Sequence, residues 1–442
     1  MPAHHTAAGI RRGSLAVCIL ACKDLSLNMR AVRQARSLAE AGHRVTVVGF
    51  HAPDAHLAGC SGAVTLVATG TPRAAPLMRR PWLRPGAMRD EAGLRRRAEA
   101  AVAAGRSHDG LFAAAVEGRL AGSRFDAVQA HFDRALIAAS ALTRRCGAKL
   151  VFDAVEMPFD EEQLTTAPAA RAVRNAEIRR AAEIACTADG WITINDSLAD
   201  AAVERFGVER PLVLRNFQDA GHWVSDGSLR SDVGLPKEAR ILLHLNTMRK
   251  GEGLETAIDA LAYLPSAFHL VGLGPPPKAD FLASLRQRAA EHGVADRFHL
   301  APMQPPHAVN AYIAGADVGI IARQGKLQNL RFSLPNRLFQ MIAARLPVVA
   351  TPLPEVARVV REWGLGMLFD EGDAAGLAAS IRRIVEPTAR AAFREAAGRA
   401  AGVLTWEKES PAYVRFIENL AAAAPAGDAR PRQGSLERLA GE

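Results

Sequence analysis

The feature that most constrains this chain is an alternation of short apolar runs with amphipathic stretches of helical period, played out twice along its length. Residues 15–21 (LAVCILA) form an apolar run of strand length. After a loop at 22–28, a helical pattern runs through Met29, Val32, Ala35, Leu38 and Ala39 and stops at Gly42, a residue type that readily ends a helix in the left-handed conformation. Residues 44–50 (RVTVVGF) are β-rich. Strand, helix and strand in about 35 residues make a βαβ unit, the usual way to join parallel strands. Further strands are expected at 64–68, 126–130, 149–152, 190–194 and 212–214, with helices at 135–145 and 169–186. Residues 217–235 (FQDAGHWVSDGSLRSDVGL) lose the period and read as a linker. The pattern then repeats, with strands at 241–245, 268–271, 298–300, 318–321, 348–350 and 366–369. Its helices open near Gly253, Asp280, Pro306, Asn336, Glu355 and Ala374. The expected fold is α/β, with two doubly wound Rossmann-like domains facing across a cleft and ligands beyond the carboxyl ends of the strands. The expected boundaries are a first domain at 14–216, a linker at 217–236, a second domain at 237–403 and a disordered tail at 421–442.

Length and composition narrow the function. A chain of 442 residues suits two large domains. Apolar residues at 49% and charged residues at 23% are globular values, which exclude a disordered or fibrous chain. Lys plus Arg number 55 against 46 acidic residues, a net +9, which fits an anionic partner: nucleic acid, a phosphorylated small molecule or an acidic membrane surface. Aromatics are only 5% and no nucleic-acid motif occurs, so no nucleic-acid partner is expected. The five Cys include no C-x-x-C pair and read as small buried hydrophobes in a reducing compartment, with no metal site. No apolar run reaches the ~18 residues of a membrane span, and residues 15–22 read as a buried strand rather than a signal, so a cytoplasmic location is expected. Residues 72–97 carry eight Arg among Leu77, Met78, Pro81, Trp82 and Leu83, a composition that suits peripheral attachment to the inner face of an anionic membrane.

Three segments look chemical. Val271-Gly272-Leu273-Gly274-Pro275 follows a strand, and its glycines allow close backbone approach, but it is not G-x-G-x-x-G and predicts no nicotinamide cofactor. Arg249-Lys250-Gly251 follows the first strand of the second half, where cations suit a diphosphate. Ser333-Leu334-Pro335-Asn336-Arg337-Leu338-Phe339-Gln340 reads as a helix start, with Ser333 as cap and Pro335 in the first turn. Free N–H groups and the dipole make such a start an anion site, with Arg337 adding charge and Gln340 able to meet hydroxyls. In the first half, His131 and Asp133 follow one strand and Glu156 follows the next.

The order of these segments resembles the retaining nucleotide-sugar glycosyltransferases of the GT-B fold, in the large family numbered four. The likeness is carried by 30–50 (RAVRQARSLAEAGHRVTVVGF), 189–205, 211–217 (PLVLRNF), 316–369 and the Trp-containing stretch 404–420, which the resemblance makes a helix crossing back to the first domain, and it covers roughly 14–420. The resemblance implies a donor site on the second domain formed by Gly272, Gly274 and residues 333–337 with Gln340. Arg249 and Lys250 would neutralise the leaving diphosphate without a metal. The acceptor side would hold His131 and Glu156 as catalytic residues, with Arg30 and Asp133 nearby. The nucleotide-sugar is a substrate, and no other cofactor is implied. The acceptor would be a glycan, a lipid-linked group or a small molecule. The sequence departs from the family where two Glu usually stand: Phe332 occupies the first place and Gln340 the second. The D-x-H-E box is Asp153-Ala154-Val155-Glu156, and the glycine of A-G-L-P is Arg345. These departures leave two alternatives, a catalytically silent nucleotide-binding or scaffold subunit and a GT-B sugar-nucleotide epimerase.

Overall fold

The computed structural model describes residues 13–25, 28–51, 63–71, 91–156, 167–221, 223–225, 227–325 and 328–423. The chain divides into two compact units. One comprises residues 1–192, 205–212 and 412–442, the other 193–204 and 213–411.

The first unit is built on seven strands: β1 (Ala16–Ala21), β2 (Arg44–Gly49), β3 (Val64–Ala68), β4 (Ala127–His131), β5 (Lys149–Ala154), β6 (Gly190–Thr193) and β7 (Leu212–Val213). Their order is β3-β2-β1-β4-β5-β6-β7. β1 lies parallel to β2 and β4, with Val17 opposite both Val45 and Ala127. Helices cover both faces of such a sheet, so its central strands read as continuous apolar runs. Val17, Cys18, Ile19 and Leu20 are fully buried, as are Val47, Val48, Ala127 and Val128. The helix Met29–Glu40 is capped by the Asn28 side chain, which accepts from the Ala31 N–H, and Gly42 takes φ +92° just beyond it.

That helix drives polar groups into the core. The Arg30 guanidinium grips the Asp153 carboxylate from Nε at 2.8 Å and Nη2 at 2.9 Å. Gln34 Nε2 donates to the same carboxylate at 2.9 Å, and Gln129 Nε2 donates to Gln34 Oε1 at 2.9 Å. Tyr413, from the helix Trp406–Ala422, closes the chain by donating its hydroxyl to Gln129 Oε1 at 2.8 Å. Burial alone pushes the Asp153 carboxyl up, but Arg30 beside it prevails and holds it below its ordinary value. The same helix packs Phe416 and Leu420 over Gly190, where an added Cβ would stand 2.7 Å from the Phe416 ring.

The second unit holds β8 (Arg240–Leu245), β9 (Phe268–Leu273), β10 (Phe298–Leu300), β11 (Val318–Ile321), β12 (Val348–Ala350) and β13 (Gly366–Leu368). Their order is β10-β9-β8-β11-β12-β13 and all are parallel. Leu242, Leu270, Val318, Ile320 and Val349 form its core with Leu254, Ile258 and Leu261 of the helix Leu254–Leu261.

The expected strands all appear, most within a residue or two of their expected bounds. The helices Glu91–Ala103, His108–Arg119 and Pro387–Val403 were not resolved by the sequence pattern. The expected linker is more ordered than its composition suggests. Phe217 is buried with its ring 4.7 Å from that of Phe339, and Gln218 bridges to Thr405. The helix Ser228–Asp232 lies inside the same stretch. Residues 72–90 of the Arg-rich segment and 424–442 of the tail lie outside the described residues.

Removing Asp153 leaves a buried guanidinium uncompensated, so Asp153→Ala is expected to cost about 3–5 kcal/mol. Tyr413→Phe strands only the Gln129 carbonyl and is expected to cost about 1–3 kcal/mol. Urea unfolding of the two variants checks the order.

Candidate functional site

Three loops meet at the carboxyl ends of β8, β9 and β11, and glycine decides how closely. Gly253 takes φ +81°, and a Cβ there would lie 2.0 Å from the Ala322 carbonyl oxygen. Gly274 takes φ +146°, and a Cβ would lie 2.0 Å from the Asn246 carbonyl oxygen. Backbone therefore rests on backbone, which a larger residue forbids. Gly272 serves differently from the expectation: it sits inside β9 and makes room for the Met248 sulfur, 2.9 Å from where its Cβ would be.

This junction gathers a charged cluster around Glu252, which is only 2% exposed. Its carboxylate accepts from Arg323 Nη2 at 2.8 Å and Nε at 2.9 Å, from Arg337 Nη2 at 3.0 Å, and from Arg249 Nη2 at 3.3 Å. Three guanidiniums thus share one carboxylate. Burial pushes the Glu252 carboxyl up, but Arg337 and Arg323 outweigh it and bring its pKa down to about 2. Burial lowers Arg337 to about 10 against the pull of Glu252, so it stays cationic at neutral pH. Its Nε and Nη1 are buried with no partner among the described residues. His244, the penultimate residue of β8, is also fully buried with both ring nitrogens unpartnered. Burial, reinforced by Arg337, lowers its pKa to about 3, so the ring is neutral. Lys250 stands exposed at the turn beside Arg249.

The helix Asn336–Ala343 points its start at this cluster and carries Arg337 in its first turn. Its N-cap is Pro335, not Ser333. The Ser333 hydroxyl is engaged elsewhere, accepting from Arg323 Nη1 at 2.8 Å and donating to the Leu330 carbonyl at 2.9 Å. Leu334 is buried in the core, so its side chain is not offered to a ligand. Asn336 Oδ1 accepts from Asn216 Nδ2 at 2.7 Å, and Gln340 is half-buried one turn along. Glu252 and Arg323 were missed in the sequence. Glu252 stands in K-G-E-G, two residues past Lys250, and Arg323 stands two past β11; both positions lie at a carboxyl edge.

In the first unit, Arg30 and His131 are in the interior rather than at an open edge. Arg30 is held by Asp153, and His131 is fully buried with Nε2 2.9 Å from Gln129 Nε2. Burial lowers the His131 pKa to about 4, and Asp153, 3.7 Å away, only partly opposes this. Asp133 is paired with Arg174, while Glu156 is exposed past β5. Between His131 and Asp133, Phe132 takes φ +62° and carries the Lys23 ammonium 3.4 Å from its ring centroid. Cys22, His108 and Asp109 lie close enough together to consider a metal. However, Asp109 is already approached by Arg134 at 3.3 Å and Arg174 at 3.5 Å, and burial pushes the Cys22 thiol up. This is a poor donor set for a cation.

Residues 239–387 match the family described as Glycosyl transferases group 1. Among curated proteins, the chain is 27% identical over 223 residues to a D-inositol 3-phosphate glycosyltransferase of Acidothermus cellulolyticus, covering 48% of each. It is 27% identical over 173 residues to the lipopolysaccharide core biosynthesis glycosyltransferase LpsE of Rhizobium meliloti, covering 39% of this chain and 47% of that one. The chain spans about half the length of these relatives. Among solved structures, sucrose-phosphate synthase from Thermosynechococcus elongatus superposes with a TM-score of 0.70 at 16% identity, over 93% of this chain and 100% of that one. Anabaena Alr3699/HepE in complex with UDP and glucose superposes with a TM-score of 0.65 at 16% identity, over 92% and 100%. The chain therefore has the fold of the GT-B glycosyltransferases. The stretch similar to group 1 glycosyltransferases lies within the second unit and includes Glu252 and its three arginines. No helix among the described residues is long and apolar enough to cross a membrane.

Two buried neutral histidines give the fold a pH signature. Their folded pKa values lie below the unfolded 6.5, so the unfolded chain binds more protons and stability falls as pH drops below about 6.5. The slope is at most about 1.4 kcal/mol per pH unit for each ring, until the folded values are reached. Urea midpoints at pH 7.5, 6 and 5 are expected to decline, and His244→Leu to decline less steeply.

Proposed function

We propose that this protein transfers a sugar from a nucleoside diphosphate-sugar to an acceptor hydroxyl, with retention of configuration and without a metal. The observation that carries the reading is the cluster of Arg249, Arg323 and Arg337 around the single carboxylate of Glu252, beside the exposed Lys250 and the open start of a helix. The leaving diphosphate gains negative charge as the glycosidic bond breaks. Fixed cations and N–H dipoles stabilise that charge without reorganising, which is where electrostatic catalysis is strongest. Glu252 itself does not meet the donor; it fixes the guanidiniums and so keeps their donors aimed. Gln340 takes the place where relatives carry a carboxylate and still offers hydrogen bonds to hydroxyls. The acceptor side is assigned to the first unit, with Glu156 at its sheet edge and His131 behind it, and the acceptor is a glycan, a lipid-linked group or a small molecule. The UDP-containing likeness and the lipopolysaccharide relative support a nucleotide donor and a cell-surface glycan product. Attachment to an anionic membrane through 72–97 belongs to the same reading; salt-sensitive vesicle binding that vanishes when the eight Arg become Gln is the expected result.

The test is a screen of nucleotide-sugars with purified protein, reading transfer and anomeric configuration by NMR with and without a chelator. Binding without turnover points to the silent-subunit alternative, and isomerised nucleotide-sugar to an epimerase. Each cation removed should lose a charge-assisted hydrogen bond of about 1.5–3 kcal/mol. Nucleotide affinity in Lys250→Ala and Arg323→Met is therefore expected to fall about tenfold or more. Gln340→Glu is expected to keep donor binding, and calorimetry checks all three.

A further inference from the structure

The donor loops occupy the carboxyl edge of the second sheet; the opposite edge holds a second collection of cations that the proposed transfer does not use. Arg345 follows the helix Asn336–Ala343 and precedes β12. Its backbone takes φ +54°, and it stands one residue past the helix cap, where glycine is the usual occupant. An L side chain there is strained. Its guanidinium is exposed and makes no hydrogen bond or ion pair with any described residue. A strained position that keeps a long cationic side chain without a protein partner suggests a partner from solution.

The surroundings are shaped to receive one. The Arg345 side chain lies across Gly398, whose absent Cβ would stand 3.6–3.8 Å from Nε, Cδ and Cζ. Gly398 and Gly402 of the helix Pro387–Val403 line, with Arg345, Thr405, Glu407 and Lys408, a cavity of about 370 Å³. Lys408 Nζ donates to the Gly402 carbonyl at 2.8 Å, which leaves two of its protons for a ligand. The Glu407 carboxylate is turned to the Ala220 N–H at 3.1 and 3.0 Å. Close by, Asp317 is shared by Arg390 at 2.7 Å and Arg240 at 3.1 Å, and Arg390 Nε is buried without a partner. Arg394 is held below its ordinary pKa by burial and by the repulsion of Arg390 and Arg345. Positive charge is thus undercompensated on this edge.

We propose that this cavity binds a small, multiply charged oxyanion, the phosphate or carboxylates of a soluble metabolite, through Arg345 and Lys408. The occupant's charged oxygens replace the missing partner of Arg345 and offset the neighbouring arginines. The cavity lies in the lower part of the 300–1,000 Å³ range of small-molecule sites, so a compact molecule fits and a polymer does not. The proposal stands independently of the donor reading.

Thermal unfolding with inorganic phosphate and with citrate, against sodium chloride at equal ionic strength, tests it. The wild-type midpoint is expected to rise saturably, by about 5 °C at one hundred times the dissociation constant. Whichever anion gives the larger shift separates the phosphate from the carboxylate source. Arg345→Gly relieves the backbone strain, so its midpoint without anion is expected above wild type, while the anion-dependent rise disappears. Lys408→Met is expected to weaken the rise, and Lys250→Ala, at the donor loops, to retain it. No rise in the wild type, or a rise that survives in Arg345→Gly, overturns the proposal; a rise lost in Lys250→Ala instead assigns the anion to the donor site.

Discussion

Glu252 is the group on which the second unit's chemistry depends. Without it, Arg323 and Arg337 would face each other across the junction of β8 and β11 with no counter-charge, one of them buried. With it, both guanidiniums are fixed from two sides, and the loop after β8 is tied to the segment after β11 and to the helix Asn336–Ala343. The burial penalty on each ion is of several kcal/mol, and only a multiply hydrogen-bonded arrangement offsets it. The glycines are part of the same device: a side chain at Gly253 would push the Glu252 loop off Ala322 and open the carboxylate to water.

The first unit repeats the principle with a different outcome. Asp153 also holds a buried arginine, but there two glutamines and Tyr413 engage one another around it and tighten the fold, leaving His131 Nδ1 at the border of the network without a partner among the described residues. In the second unit Arg337 Nε, Arg337 Nη1 and both nitrogens of His244 have no partner among the described residues. A network with one orphaned atom at its border reads as structural, and one with four gathered around a carboxylate as a place prepared for something else. That contrast separates the two buried carboxylates better than burial or charge alone, since both are nearly inaccessible and both are held ionised.

The strands were legible because parallel strands buried on both faces leave short unbroken apolar runs, as in 318–321 and 348–350. The placement of Arg249, Lys250 and residues 333–340 at a carboxyl edge was legible for the same reason: once the strands are placed, these residues must follow them. What the sequence concealed is pairing at a distance. Glu252 and Arg323 are 71 residues apart and Arg30 and Asp153 123, and no local period reports such contacts. Ser333 misled because a Ser before a Pro satisfies the local rule for a cap, while the tertiary partner Arg323 claims its hydroxyl. His131 misled because the end of a strand is usually open, whereas here Gln129 and Asp153 enclose the ring.

The charge balance around Glu252 also bears on how the proposed transfer accommodates a neutral Gln340. Here the one carboxylate among the cluster's charged side chains is Glu252, and it is consumed by three guanidiniums. The field at the helix start is therefore set by cations and by the positive end of the helix dipole. In the proposed transfer, such a field attracts a diphosphate and stabilises the negative charge that develops on it during bond cleavage. In that proposal, orienting the sugar requires only hydrogen bonds, which a glutamine supplies as well as a glutamate, so a neutral Gln340 bears on donor choice before it bears on the capacity for transfer.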